Sequence, residues 1–350
     1  MASDGTQSSI IDGLNTPYAI AVDAAGNRYI ADLYGDKVVK VLPDGSKTTI
    51  AHGPADGGPS DLTGIDDAFG VAVDSTGNVF IADYKHQRLA KLTPDGTLTT
   101  LADGWDGPTG VAVDSAGNVY GSKHWLGQVV KVKPDGTQKI IADFGPNTHP
   151  DGIAVDAAGN VYIAVSLSNK VVKVSPGGKQ TQIGGTMLFP RGVAVDSAGN
   201  VYVAQQSGGD VVKVPPRCTS NDCHIPVGSG LANTAGVALA PLPSAPTKVR
   251  VPAPWKGLTQ GRAAVSFKPS TSPSVVSYTV TARNLTHPNK GGQIAQGTRS
   301  PITVAGLSPG DRYTFTVTAT NRAEGTSTPS AASKPVWISA HTSPWWRILW

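Results

Sequence analysis

Short apolar runs punctuated by glycine, proline and aspartate fill the first two thirds of the chain, and none holds the 3.6-residue period of an amphipathic helix. A run of small residues such as Gly70-Val-Ala-Val73 is followed by a second such as Val79-Phe-Ile-Ala82 and a third such as Val129-Val-Lys-Val132. A Pro-Asp-Gly turn at Pro43, Pro94 or Pro134 then leads to a fourth short run such as Thr48-Thr-Ile50. The order recurs: five segments align without gaps on Asp23, Asp74, Asp114, Asp156 and Asp196, at spacings of 51, 40, 42 and 40 residues. Four antiparallel strands per unit predict a propeller blade. Small residues suit the crowded innermost strand, and larger ones on the second and third strands fill the space between radial sheets.

The repeated Gly-Val-Ala-Val-Asp and Gly-Asn-Val-Tyr-Ile-Ala patterns resemble the NHL repeat family across residues 8 to 240. The resemblance implies an all-β fold with five complete four-stranded blades and either no sixth or an incomplete one. Ser8-Ser-Ile-Ile11 reads as a fourth strand and Gly236-Val-Ala-Leu-Ala240 as a first strand, with no second and third strands between them. The aspartate that follows the second strand in the family stands here as Asp32 and Asp83, but its place is taken by Lys123, Val165 and Gln205.

The pattern changes at the proline-rich hinge Pro241-Leu-Pro-Ser-Ala-Pro246. Longer strands follow, among them Tyr313-Thr-Phe-Thr-Val-Thr-Ala-Thr320, whose alternation marks one buried and one wet face. Leu307-Ser-Pro-Gly-Asp-Arg-Tyr313 and the strand after it resemble a fibronectin type III domain. That resemblance makes Tyr313 a corner tyrosine bonded to upstream backbone and puts Phe267 where the family usually has a core tryptophan. The expected organisation is a disordered start at 1–7, a propeller at 8–241, a type III domain at 242–340 and a tail at 341–350. Trp345, Trp346 and Trp350 give the tail three of the chain's seven tryptophans, a candidate contact for a membrane interface or a partner.

Charge is unevenly spread. Residues 1–241 carry 17 Lys and Arg against 23 Asp and no Glu, while residues 242–350 carry 12 Lys and Arg against Asp311 and Glu324. An acidic propeller argues against nucleic acid as partner, and the basic second part suits an anionic cell-envelope polymer. The two cysteines, Cys218 and Cys223, are close enough in sequence to form a small disulfide ring, which points to a secreted or cell-surface protein whose signal peptide is not in this sequence.

Positions common to all copies are explained by the fold, so function is expected where the copies differ. The loops after the second strands offer Tyr34, Tyr84, His86, His124, Trp125 and Gln206; the segments entering the first strands offer Tyr18, Phe69, Thr109, Asp151 and Arg191, with His149 just ahead. Together they predict a cup of aromatic and hydrogen-bonding groups that binds a peptide, glycan or protein, with an Asp151–Arg191 ion pair across the mouth and Trp105 and Trp125 either stacking on ligand or buried between blades. No catalytic residue, metal or cofactor is expected. The competing reading is an NHL-like lyase of the amidating or streptogramin type, with His86, His124 and His149 on one zinc ion. His149 precedes a first strand, the other two sit at different depths of their loops, and no HExxH or GxSxG is present.

Overall fold

The computed structural model describes residues 11–53, 64–231, 234–239, 245–251, 261–270, 275–321, 326–327 and 329–338. The chain divides at Ala240/Pro241 into two compact units. The first contains five four-stranded antiparallel sheets in simple up-and-down order. Blade 1 is Pro17–Val22 (β1), Arg28–Asp32 (β2), Lys37–Val41 (β3) and Lys47–His52 (β4). Blade 2 is Ala68–Val73 (β5), Val79–Asp83 (β6), Arg88–Leu92 (β7) and Leu98–Ala102 (β8). Blade 3 is Pro108–Val113 (β9), Val119–Lys123 (β10), Gln128–Val132 (β11) and Gln138–Asp143 (β12). Blade 4 is Pro150–Val155 (β13), Val161–Val165 (β14), Lys170–Val174 (β15) and Gln180–Ile183 (β16). Blade 5 is Pro190–Val195 (β17), Val201–Gln205 (β18), Asp210–Val214 (β19) and Ile225–Gly228 (β20).

The inner strands contact one another around a channel, and glycine is what lets them. A Cβ on Gly110 would lie 1.8 Å from the Asp151 carbonyl oxygen, and one on Gly192 would lie 2.4 Å from that of Ala235. One on Gly236 would lie 2.9 Å from Ala19 Cα, so the segment 234–239 closes the circle between β17 and β1. The ring therefore has five complete blades and a sixth position whose inner place is held by this segment. Of the predicted fourth strand, Ser8 to Ile10 lie outside the described residues, and Ile11 packs on Ile30, Val39 and Val41.

Each gap between complete blades is filled by alternating residues from two sheets. Between blades 2 and 3, for example, Ala82 and Leu89 meet Val111, Val119 and Val130 around Trp105. Trp105 is fully buried there, so it is packing and not a stacking platform. It fits because blade 3 has Gly121 where the other blades carry Ile30, Ile81, Ile163 and Val203.

The repeated aspartates are structural. Asp114 accepts hydrogen bonds from the backbone N–H of Ala116 and Asn118, from the Asn118 amide and from the Tyr120 hydroxyl, and Asp23, Asp156 and Asp196 repeat the set. In blade 2, where Phe80 replaces the tyrosine, Thr76 donates its hydroxyl to Asp74 instead. A lysine of the third strand stands over each of these rings, from Lys40 on Tyr29 to Lys213 on Tyr202. In the connection between β19 and β20 of blade 5, Cys218 and Cys223 form a disulfide with Cα atoms 6.0 Å apart.

The second unit has a three-stranded sheet of Thr247–Arg250 (β21), Ala263–Lys268 (β22) and Ile302–Val304 (β25). Its four-stranded sheet contains Val275–Asn284 (β23), Ile294–Gly297 (β24), Arg312–Asn321 (β26) and Val336–Trp337 (β27). Phe267 is buried in their shared core, 4.9 Å from Tyr278, so phenylalanine replaces tryptophan without loss of fold. The Tyr313 hydroxyl accepts hydrogen bonds from the Ser308 backbone N–H and the Asn284 amide, which forms the expected corner. Trp345, Trp346 and Trp350 lie outside the described residues.

Candidate functional site

One backbone device builds the mouth of the channel five times over. Thr16, Asp67, Gly107, His149 and Phe189, each two residues ahead of a mouth position, have positive φ between 50 and 70°. Their carbonyl oxygens accept the N–H of Leu33, Tyr84, His124, Ser166 and Gln206, which ties each entry segment to the loop after the second strand. Pairing of first and second strands then slips in register at Tyr18, Phe69, Asp151 and Arg191, and around Thr109. A bulge turns the extra residue out of the ladder, and all five of these residues line the channel mouth. Sequence reasoning missed the left-handed residue, although four of the five precede a proline.

The rim side chains form a continuous circuit. Arg191 donates from Nη1 to Asp151 at 2.9 Å and from Nε to Gln206 at 2.9 Å, which realises the expected ion pair. Its guanidinium is flanked by Phe189, 4.7 Å to the ring centre, and Tyr18, 5.8 Å. Tyr18 meets Phe69 edge-on at 4.8 Å, Phe69 meets Tyr84 at 4.8 Å, and the Tyr84 hydroxyl accepts the Trp125 indole N–H at 3.1 Å. Trp125 stands perpendicular to His124 and His149, and these two imidazoles lie 4.0 Å apart. His124 Nδ1 returns the circuit to Asp151 at 3.0 Å, off the line of a regular hydrogen bond. Gly107 is a further site residue not foreseen: a Cβ there would lie 2.7 Å from Trp125 Cδ1, so glycine makes room for the indole.

Burial sets the electrostatics. Asp151 is only 1% exposed and sits between a guanidinium and an imidazole. Burial, the neighbouring His124 and Arg191 together hold the His149 imidazole below its ordinary range, against the pull of Asp151. Burial also pushes the Tyr18 phenol well up, Asp151 adding to the effect and Arg191 opposing it. The Tyr18 hydroxyl is buried without a regular hydrogen bond. Between these rim residues and the first residues of the inner strands the channel narrows to a cavity of about 60 Å³, room for a few waters or one small polar group. Toward the other end it widens to about 230 Å³ and is lined only by Ala, Val, Ile and Leu, so polar side chains are confined to the mouth and the far end offers main-chain groups alone.

Two expected residues do not join the rim. The His86 side chain is 3% exposed and hydrogen-bonded through Nδ1 to Asp83, which also receives Arg88. This aspartate draws the imidazole into the blade, so His86, His124 and His149 are not brought together as zinc ligands. Tyr34, 65% exposed, lies on the loop after β2, outside the circuit. Asp32 and Asp83, which follow the second strands of blades 1 and 2, accept the N–H of Asn15 and Asp66, which precede the left-handed residue. Gln205 does the same for Leu188, so glutamine replaces aspartate there. Among the described residues, one acidic trio, Asp36, Asp66 and Asp67, is close enough to share an ion, and Lys85 already reaches two of its members.

Comparison with known proteins bears on the fold. A fibronectin type III domain matches residues 244–336, and a beta-propeller repeat matches residues 180–210. No curated protein sequence matches the chain. Among solved structures, a nidogen/laminin complex is 19% identical with TM-score 0.54, covering 65% of this chain and 86% of that one. A gluconolactonase from Xanthomonas campestris is 16% identical with TM-score 0.53, covering 75% and 86%. A streptogramin B lyase is 13% identical with TM-score 0.51, covering 83% and 93%. At such identities the likeness concerns architecture and not activity. The chain is a β-propeller joined to a fibronectin type III domain.

Proposed function

We propose that the chain is a non-catalytic binding module working outside the cytoplasm, which holds its ligand across the mouth of the propeller. The observation that carries this reading is the closed circuit from Arg191 through Tyr18, Phe69, Tyr84, Trp125 and the imidazoles to Asp151, in which aromatic surface and buried polar groups converge on one narrow opening. The disulfide and the type III domain are consistent with an extracellular setting. No helix among the described residues is long and apolar enough to cross a membrane. The basic second unit then serves as a spacer resting on an anionic envelope polymer. A metal-assisted lyase finds less support, because its third imidazole, His86, is committed to Asp83.

A glycan and peptide array probed with the full chain, beside Trp125→Ala and Arg191→Gln, tests the reading. The expected result is a discrete ligand set lost by both variants and recovered chemically unchanged. Retention by both variants, or recovery of a cleaved ligand, would overturn it.

A further inference from the structure

The mouth offers surface and hydrogen bonds without offering net charge. Its one buried carboxylate, Asp151, and its one guanidinium, Arg191, are spent on each other at 2.9 Å, and the adjoining His149 is held toward its neutral form. A charged guest would have to compete with that pair in a desolvated setting, where an unmatched charge is costly. A guest with hydroxyl groups meets no such barrier. The Tyr18 hydroxyl, buried without a regular partner, both donates and accepts. Arg191 carries N–H groups beyond those it gives to Asp151 and Gln206, beside the Tyr18 hydroxyl, and Asp151 Oδ1, 3.0 Å from His124 Nδ1 but off a regular hydrogen-bond line, accepts. Alternating donors and acceptors of this kind suit groups that are themselves amphoteric.

The shape points the same way. Trp125 is 43% exposed, yet its pyrrole edge is fixed by the Tyr84 hydroxyl and by the space left at Gly107, so it presents a rigid apolar surface at little entropic cost. The cavity beneath admits one small polar group, such as a hydroxymethyl, and nothing as large as an amino-acid side chain with an aromatic ring.

We infer that the mouth takes a neutral pyranose unit, its ring against Trp125 and its hydroxyl groups on Tyr18, Asp151 and Arg191; this rests on the binding reading above and names its ligand class. The test uses the full chain, labelled with nitrogen-15 in histidine and tryptophan side chains. It is titrated with methyl glycosides of neutral hexoses and N-acetylhexosamines, a hexuronic acid, a hexosamine, and blocked acidic and basic tripeptides.

Neutral glycosides are expected to shift the His124, His149 and Trp125 resonances saturably. Trp125→Ala should weaken that binding at least about tenfold, roughly the worth of one aromatic contact. Trp125→Phe should keep part of it, and Trp337→Ala on the second unit should leave it unchanged. Saturation by the uronic acid or a tripeptide but by no neutral sugar would overturn the ligand class and leave mouth binding intact. Neutral-sugar binding that survives Trp125→Ala in a folded protein would place the sugar elsewhere and also overturn the inference. Absence of any saturable shift at the mouth would overturn the inference and leave the binding reading to the array.

Discussion

Trp105 and Gly121 form a size-matched pair whose coupling is measurable. Replacing the fully buried Trp105 by alanine removes the filler between blades 2 and 3 and should cost about 3–5 kcal/mol, the usual range for an aromatic side chain deleted from a core. Gly121→Ile alone should cost about 1–3 kcal/mol, because its Cβ would lie 2.5 Å from Trp105 Cζ3 and 2.9 Å from Leu89 Cδ1, both buried. Combined, the changes restore the isoleucine that blades 1, 2 and 4 carry at this place and give it the vacated space. The double variant should therefore be less stable than the parent by about 1–3 kcal/mol instead of the additive ~4–8, a coupling of roughly 4 kcal/mol. Calorimetry that resolves the propeller transition from that of the second unit, supported by urea denaturation followed by circular dichroism, measures each corner of the cycle. A double variant as unstable as the sum of the singles would refute the packing argument.

Asp114→Ala should destabilise the propeller by about 2–3 kcal/mol, since a charged acceptor of several hydrogen bonds is lost; urea denaturation at neutral pH checks it. Burial raises the Asp74, Asp114, Asp156 and Asp196 carboxyls, but the bonds from Asn78, Asn118, Asn160, Asn200 and their neighbours outweigh it and leave all four below the usual range. Their contribution is thus complete above about pH 4 and declines as acid protonates them in the folded state. Denaturation midpoints measured from pH 6 down to about 2 should fall below about 4, less steeply in Asp114→Ala. The His149 ring should titrate below 6.5 by NMR, so lowering the pH through that value protonates the unfolded chain first and reduces stability. A titration at or above 6.5 would contradict the mouth geometry. Tyr313→Phe leaves the Ser308 N–H and Asn284 amide short of an acceptor and should cost the second unit about 1–3 kcal/mol in its calorimetric transition, leaving that of the propeller in place.

Much of the fold was legible because its cause is periodic. Small residues at 70–73 and branched ones at 129–132 recur in register, so strand order and the five complete blades follow from repetition, while five or six positions in the ring stayed open. The mouth positions Tyr18, Phe69, Thr109, Asp151 and Arg191 were legible for the complementary reason, that they vary within a constant frame. What escaped were facts set by neighbours distant in sequence. Trp105 offers no local sign that Gly121, on the next blade, has made room for it. His86 looks like any loop histidine until Asp83 and Arg88 are seen to enclose it. The place of residues 234–239 depends on the backbone separation between β17 and β1, which no local pattern encodes.

The bond that secures each entry segment, from Thr16 O to Leu33 N and its four counterparts, uses main-chain atoms alone. Identity of the residue two places on is thereby decoupled from assembly of the frame. The opening behaves as a set of five interchangeable keys on a fixed keyboard: tyrosine, phenylalanine, threonine, aspartate and arginine occupy equivalent seats. Recognition can be rewritten without touching that main-chain frame, so long as seats that pair with one another, such as Asp151 and Arg191, change together.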